Sequence, residues 1–251
     1  MISTGVVIAL GLAMVVPAFT QQKVVSSVPA VMLTFSIGNT NSADLSQWCD
    51  ELATVLDRQK VVATVFVSGK VAEKAPECVN SFHENVDIGS QTFSYVSLTS
   101  ITDYGVALEE VKRGKEAVDR VGGLNSKSFK APFGMVDENI YSYLSKSGIV
   151  ADFSYINHYN KYEDSQFIRY DLKVLPGNQD GLELYGAIHR DDDVTRPLSP
   201  VPITLQFDTS IAVEDIDTTI TKLKSLYDGN IQFVNASDVA DVTLTQRGAS
   251  A

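Results

Sequence analysis

Short β-branched runs alternate with amphipathic helical patterns almost from one end of this 251-residue chain to the other, and that rhythm restricts the fold more than any other feature. A tight two-residue turn joins only antiparallel strands. Strands separated by a helix pair in parallel, with the helix as the crossover outside the sheet. Val31 to Phe35 reads as the first strand, and Ser42 is placed to cap a helix whose Leu45, Trp48, Leu52, Val55 and Leu56 share one apolar face. Val61 to Val67 follows as a buried strand, then a helix from about Lys70 to Phe82, the short strand Val86 to Ile88, and a long helix from about Asp103 to Val121 stopped by Gly122-Gly123.

The cycle repeats with Ser128 to Ala131 as strand, Asp137 as the cap of a helix ending before Gly148, and Ile149 to Phe153 as strand. Between Tyr155 and Pro202 the rhythm weakens. Pro176-Gly177, the acidic run Asp191 to Asp193 and several prolines point to irregular excursions there, with a strand expected near Phe167 to Leu172. Ile203 to Phe207 resumes as strand, Val213 to Tyr227 as helix and Ile231 to Val234 as the closing strand. The expected fold is α/β, a single distorted (β/α) barrel. Active sites of such barrels lie at the C-terminal ends of the strands, which singles out Ser36, Ile37, Ser90, Gln91, Pro132, Phe133, Asp152, Phe153, Phe207 and Asp208.

A chain of this length with 44% hydrophobic residues can bury a substantial core in one domain. Its formal net charge of −11, with no cluster of Lys and Arg, argues against nucleic acid as a partner. The apolar run Val6 to Val16 followed by Pro17-Ala18 is read as a signal peptide over residues 1–20, leaving 21–251 as the domain and a secreted protein at a cell surface or wall. No basic residue precedes Lys23, so a short buried N-terminal helix is the competing reading. The run is too short to span a bilayer, which takes about 20 residues, and no membrane span is expected. Cys49 and Cys78 fall on successive helices; in an oxidising compartment they can pair, and otherwise they are two buried thiols. Asn235-Ala236-Ser237 fits the glycosylation sequon.

Four stretches carry a resemblance. VMLTFSIG (Val31 to Gly38), VDIGSQTFSY (Val86 to Tyr95), FKAPFG (Phe129 to Gly134) and ITLQFD (Ile203 to Asp208) occur in the order of the polysaccharide deacetylase pattern, the NodB homology domain of carbohydrate esterase family 4, with chitin deacetylases among its members. The chain resembles that family over about residues 30 to 240. The resemblance implies that the first stretch should end in TFDDG, with one Asp as general base and one as metal ligand; here Ser36 and Ile37 stand there. The second should read NHTxxH, with two histidine ligands; Gln91 and Tyr95 replace them. The third, RxPYG, is matched by Lys130-Ala131-Pro132-Phe133-Gly134, with lysine for the arginine that orients the base, and in the fourth Phe207 replaces the general-acid histidine before Asp208.

The family would use Zn²⁺ or another divalent metal, and by this resemblance the chain has no cofactor. Lowering the pKa of bound water from about 15.7 to about 7 corresponds to about 12 kcal/mol of nucleophile activation. Isoleucine has no lone pair, and the neutral oxygens of Gln91 and Tyr95 do not replace imidazole on Zn²⁺. Loss of the general base and acid removes roughly a further 10²–10⁴-fold each. A rewired site around Asp152, Asp208 and His158 is the rival, set against Asp208 ordering a loop and Asp152 pairing with Lys130. His83, His189 and Asp191-Asp192-Asp193 read as solvated residues.

The mouth that remains can still hold an extended sugar polymer, since rings stack on aromatic faces and hydroxyls meet side-chain amides without a metal. Ser36, Gln91, Tyr95, Lys130, Pro132, Phe133, Phe207 and Asp208 are the expected lining, with Tyr155, Tyr159 and Tyr162 as an aromatic rim; alternatively Ile37, Phe133 and Phe207 fill the emptied pocket. The expected function is therefore an inactive deacetylase-like protein binding chitin or a related N-acetylglucosamine polymer. The alternatives are an active chitin deacetylase with a rewired site and a structural or interaction protein of the cell surface.

Overall fold

The computed structural model describes residues 30–38, 44–82, 84–136, 139–154, 168–169, 174–176 and 203–238. The expected signal peptide, the caps Ser42 and Asp137, the three histidines, the rim tyrosines and the Asp191 to Asp193 run lie outside them.

The described strands are β1 (Ala30–Ile37), β2 (Ala63–Val67), β3 (Val86–Ser90), β4 (Ser128–Phe129), β5 (Ala151–Asp152), β6 (Ile168–Arg169), β7 (Val174–Pro176), β8 (Ile203–Asp208) and β9 (Gln232–Val234). They form one parallel sheet in the order β6-β5-β4-β3-β2-β1-β8-β7, with β9 pairing β1. One edge of β1 is divided. Ala30 to Met32 pair with β9, and Thr34 to Ile37 pair with β2, so the closing strand slots in beneath β2. Among the described residues β6 and β7 end the sheet without joining, which makes the expected barrel a half-barrel.

The helices are α1 (Leu45–Gln59), α2 (Gly69–Lys74), α3 (Pro76–Asn80), α4 (Tyr104–Gly122), α5 (Ile140–Lys146) and α6 (Val213–Leu226). The single helix expected over 70–82 is two. Pro76 has no N–H to continue the ladder and pushes its predecessor out of the helical region, and Ala75 accordingly sits at φ −135°, ψ 60°. Asp103 caps α4 through its side chain, which accepts the Val106 N–H at 3.1 Å, and Gly123 at φ +62° ends it. β7 was concealed by Pro176, a residue that suits a strand whose described partner is β8 alone.

Strand alternation divides the core. Val31, Leu33, Phe35 and Ile37 of β1 join Val65 and Val67 of β2 and Leu205 and Phe207 of β8 beneath the helices, together with Leu52 and Leu56 of α1 and Ile216 and Ile220 of α6. The opposite face of the sheet carries Met32, Phe66, Ala151, Phe153 and Val234. The Trp48 indole donates to the Ile211 carbonyl at 2.9 Å and ties α1 to the loop before α6. Cys49 and Cys78 are joined in a disulfide between α1 and α3. At the sequon, Asn235 Oδ1 accepts the Asp238 N–H at 2.9 Å and the Ser237 hydroxyl donates to Asp87 at 2.9 Å, so both residues are engaged in the folded chain.

Candidate functional site

The C-terminal ends of β1, β3, β4 and β8 bring together Ser36, Tyr95, Lys130, Phe133 and Asp208. Parallel registers do this directly: Ser36 faces Asp208 across the β1–β8 pair, and Ser90 faces Phe129 across β3–β4, so Lys130 follows at the same level. Even-numbered residues of β1 point away from the helices, which aims Ser36 into the half-barrel.

Lys130 is the centre of this group. Its backbone N–H donates to the Ser90 carbonyl at 3.1 Å, and its Nζ donates to Ser36 Oγ at 2.9 Å. Both side chains are buried, Lys130 at 3% exposure and Ser36 at 5%. Nζ lies 5.8 Å from the centre of the Phe66 ring. Burial disfavours the ammonium and pushes its pKa down to about 7, while the nearby Asp208 carboxylate opposes that shift. Asp208 also accepts the N–H of Ser210 at 2.8 Å and its hydroxyl, ordering the turn after β8.

Tyr95 and Phe133 form the rim. Their rings meet at 5.2 Å with a 51° tilt, and both residues have left-handed backbone, at φ +58° and φ +60°. For side chains of this size the conformation costs roughly 1–2 kcal/mol each, and such strain clusters at functional sites. The Tyr95 ring lies so close over Gly38 that a Cβ there would come within 2.1 Å of it, which is why this position needs glycine. Burial, and secondarily the Asp208 charge, raise the Tyr95 phenol's pKa. The loop carrying Tyr95 is tied down, since Glu110 accepts both the N–H and the hydroxyl of Ser94 at 2.8 Å. Phe133 is 66% exposed in a 3-10 turn, Pro132–Gly134, whose Pro132 is buried.

Other expected site residues are placed elsewhere. Phe207 and Ile37 do not line the mouth: both belong to the core beneath the helices, and Phe207 stacks on Phe35 at 5.2 Å with the planes 16° apart. Gln91 is buried at 1% exposure, and its Oε1 has no hydrogen-bond partner among the described residues. Asp152 is fully buried and accepts the Ser154 N–H at 2.9 Å and hydroxyl at 2.6 Å; that hydroxyl in turn accepts the Ala131 N–H at 2.8 Å. The bond from Lys130 to Ser36 is the feature that sequence reading missed. Its only trace was a lysine inside an apolar strand stretch.

A divalent metal does not fit these side chains. Ile37 is aliphatic and turned into the core, Gln91 and Tyr95 are neutral, and a buried amine already points at Ser36. Among the described residues no three His, Cys, Asp or Glu converge on one point. An open depression lined by Asp57, Lys60, Val61, Glu84 and Asn85 lies at the opposite, N-terminal ends of β2 and β3, where barrels carry stability rather than chemistry. No described helix is long and apolar enough to cross a membrane.

A family model described as polysaccharide deacetylase matches residues 23–151. Among solved structures, a peptidoglycan deacetylase from Bacillus subtilis is 16% identical, covering 88% of this chain and 94% of its own at a TM-score of 0.58. A family 4 carbohydrate esterase from Streptomyces lividans, in complex with acetate, is 16% identical over 82% of this chain and 91% of its own, with a TM-score of 0.58. A family 4 pseudoenzyme from Bacillus anthracis is 16% identical over 84% of this chain and 65% of its own, with a TM-score of 0.57; a mutant of it is described as having restored enzymatic activity. At these identities the likeness speaks for the fold alone. No curated protein matches the chain.

Proposed function

The chain belongs to the polysaccharide deacetylase family, and from that premise we propose that it has given up metal-dependent deacetylation and works by binding an N-acetylglucosamine polymer, chitin or a related chain, at a cell surface or wall. What carries this reading is the exchange at the mouth. Where the family resemblance calls for carboxylates and imidazoles, the mouth has a lysine bonded to a serine and, beside it, the exposed Phe133 ring packed on the half-buried Tyr95. A sugar ring stacks on such an aromatic face for about 0.5–1.5 kcal/mol beyond the area it buries. The Cys49–Cys78 disulfide supports an oxidising, extracellular setting, in keeping with the signal peptide expected over residues 1–20.

Chitin and peptidoglycan both contain N-acetylglucosamine, and solved structures of similar fold include peptidoglycan deacetylases. Co-sedimentation with insoluble chitin and with purified peptidoglycan tests the reading. Retention on at least one polymer that falls on Phe133→Ala supports it. Equal recovery in the supernatant with both polymers contradicts it and favours an interaction protein of the cell surface. Release of acetate from either polymer favours an active deacetylase.

A further inference from the structure

Stacking of a sugar ring on the aromatic rim makes no use of the amine-to-hydroxyl contact buried behind it. We propose that Ser36 and Lys130 form a metal-independent nucleophilic pair, in which Ser36 Oγ accepts an acyl group from a short-chain ester and Lys130 Nζ carries the proton. This goes beyond the binding role and does not depend on it.

The geometry is that of an activated nucleophile, with hydroxyl and base in direct hydrogen-bond contact at 2.9 Å, Ser36 on β1 and Lys130 directly after β4. Ser36 is held at the end of β1 by pairing with β2 on one side and β8 on the other. Lys130 is held by its backbone bond to Ser90 and by the neighbouring bond from Ala131 N–H to Ser154 Oγ. An ordinary lysine is a poor base at neutral pH because it is already protonated. Burial removes that obstacle here, holding the amine at about 7, where an acid–base catalyst works best. The charged group that acts on the amine is Asp208 on β8; Tyr95 follows on the loop after β3, and Asp152 lies on β5, which pairs with β4. Asp208 counters the effect of burial and keeps the amine basic, the Tyr95 phenol stays neutral, and the Asp152 carboxylate is engaged with Ser154.

In the step itself, neutral Lys130 Nζ takes the Ser36 Oγ proton as Oγ bonds to the ester carbonyl carbon and the carbonyl π pair moves to oxygen. Collapse of that intermediate breaks the bond to the alkoxide, which leaves with the proton from Lys130. Water then repeats the sequence on the acyl-serine, giving the carboxylic acid and free Ser36. Esters suit the pair better than amides, because an alkoxide departs more readily than an amide nitrogen and the positive group formed next to the oxyanion is the Lys130 ammonium. With Ser36 only 5% exposed and the Tyr95 ring against Gly38, the acyl group that enters is small.

Methanesulfonyl fluoride, small enough for this mouth and applied to the whole protein with no sugar present, tests this directly: Oγ bonds to sulfur, fluoride leaves and Lys130 takes the proton. The expected result is one adduct mapped to Ser36, formed faster as pH rises through about 7 and slowed at least ~100-fold in Lys130→Met. Lys130→Arg is expected to fail likewise, since guanidinium stays protonated, and Tyr95→Ala is expected to label faster. Absence of a Ser36 adduct in both the wild type and Tyr95→Ala overturns the proposal. So does a folded Lys130→Met that labels at the wild-type rate. Should the lysine variants not fold, a wild-type labelling rate that is flat with pH overturns it.

Discussion

The Lys130 amine donates a 2.9 Å hydrogen bond to the Ser36 hydroxyl inside the half-barrel, joining two positions that lie 94 residues apart in sequence. This contact places a buried amine at the mouth where the family resemblance calls for an Asp and an arginine that orients it. A buried charge answered by a hydroxyl and a carboxylate at the surface is costly, and that cost is measurable through pH.

In the unfolded chain Lys130 titrates near 10.5, and in the folded chain burial brings it to about 7. Between those values the unfolded state holds one more proton, so this group makes stability rise with pH from about 7 to about 10.5 and contributes a constant penalty below 7. The span corresponds to roughly 5 kcal/mol. Urea unfolding at several pH values should give a stability difference, Lys130→Met minus wild type, that is largest below pH 7 and shrinks toward pH 10. A difference that does not change with pH contradicts the assigned burial.

Phe133 offers a separation of binding from stability. Because it is 66% exposed and held at φ +60°, Phe133→Gly should relieve backbone strain and raise stability by up to about 1 kcal/mol, while Phe133→Ala leaves the strain in place. Both should weaken retention on N-acetylglucosamine polymer, by roughly tenfold if ring stacking supplies about 1.4 kcal/mol. Thermal unfolding and sedimentation on the same preparations read the two effects independently.

Gly38→Ala places a methyl group where the Tyr95 ring now lies, since a Cβ would come within 2.1 Å of it. The ring has to move, and we expect a loss of about 1–3 kcal/mol, read by urea unfolding. Gly38→Ala in a Tyr95→Ala background should recover most of that loss, because the clash is with the side chain.

Much of the fold was legible because it rests on local patterning. Gly122-Gly123 and Asp103 bounded α4 by capping chemistry alone, and the apolar face of α1 gave its burial correctly. Pro76 was the local signal passed over, and it divides one expected helix into α2 and α3. The site was legible in part. The barrel rule found the strand ends, but it did not say which side of the sheet each residue faces. Alternation sends Ile37 and Phe207 under the helices and Ser36 inward, and it becomes readable only when β1 and β8 are known to pair in register. The Lys130–Ser36 bond joins β1 to the segment after β4, and no periodicity within either segment announces it.

Cys49 and Cys78 close a loop with a sequence separation of 29, and such a crosslink restrains the unfolded chain by about 3–4 kcal/mol on the chain-entropy estimate. The double variant Cys49→Ala/Cys78→Ala should lose stability on that order and should become insensitive to added dithiothreitol. Wild-type protein that unfolds identically with and without reductant contradicts a bonded pair.

Metal content is the most direct test of the central claim, that the mouth holds a lysine–serine contact in place of a metal centre. Protein equilibrated with excess Zn²⁺, desalted and measured by mass spectrometry of the elements should retain far less than one ion per chain, and should release no acetate from a defined N-acetylglucosamine oligosaccharide. One tightly held divalent ion per chain, accompanied by acetate release, contradicts the account.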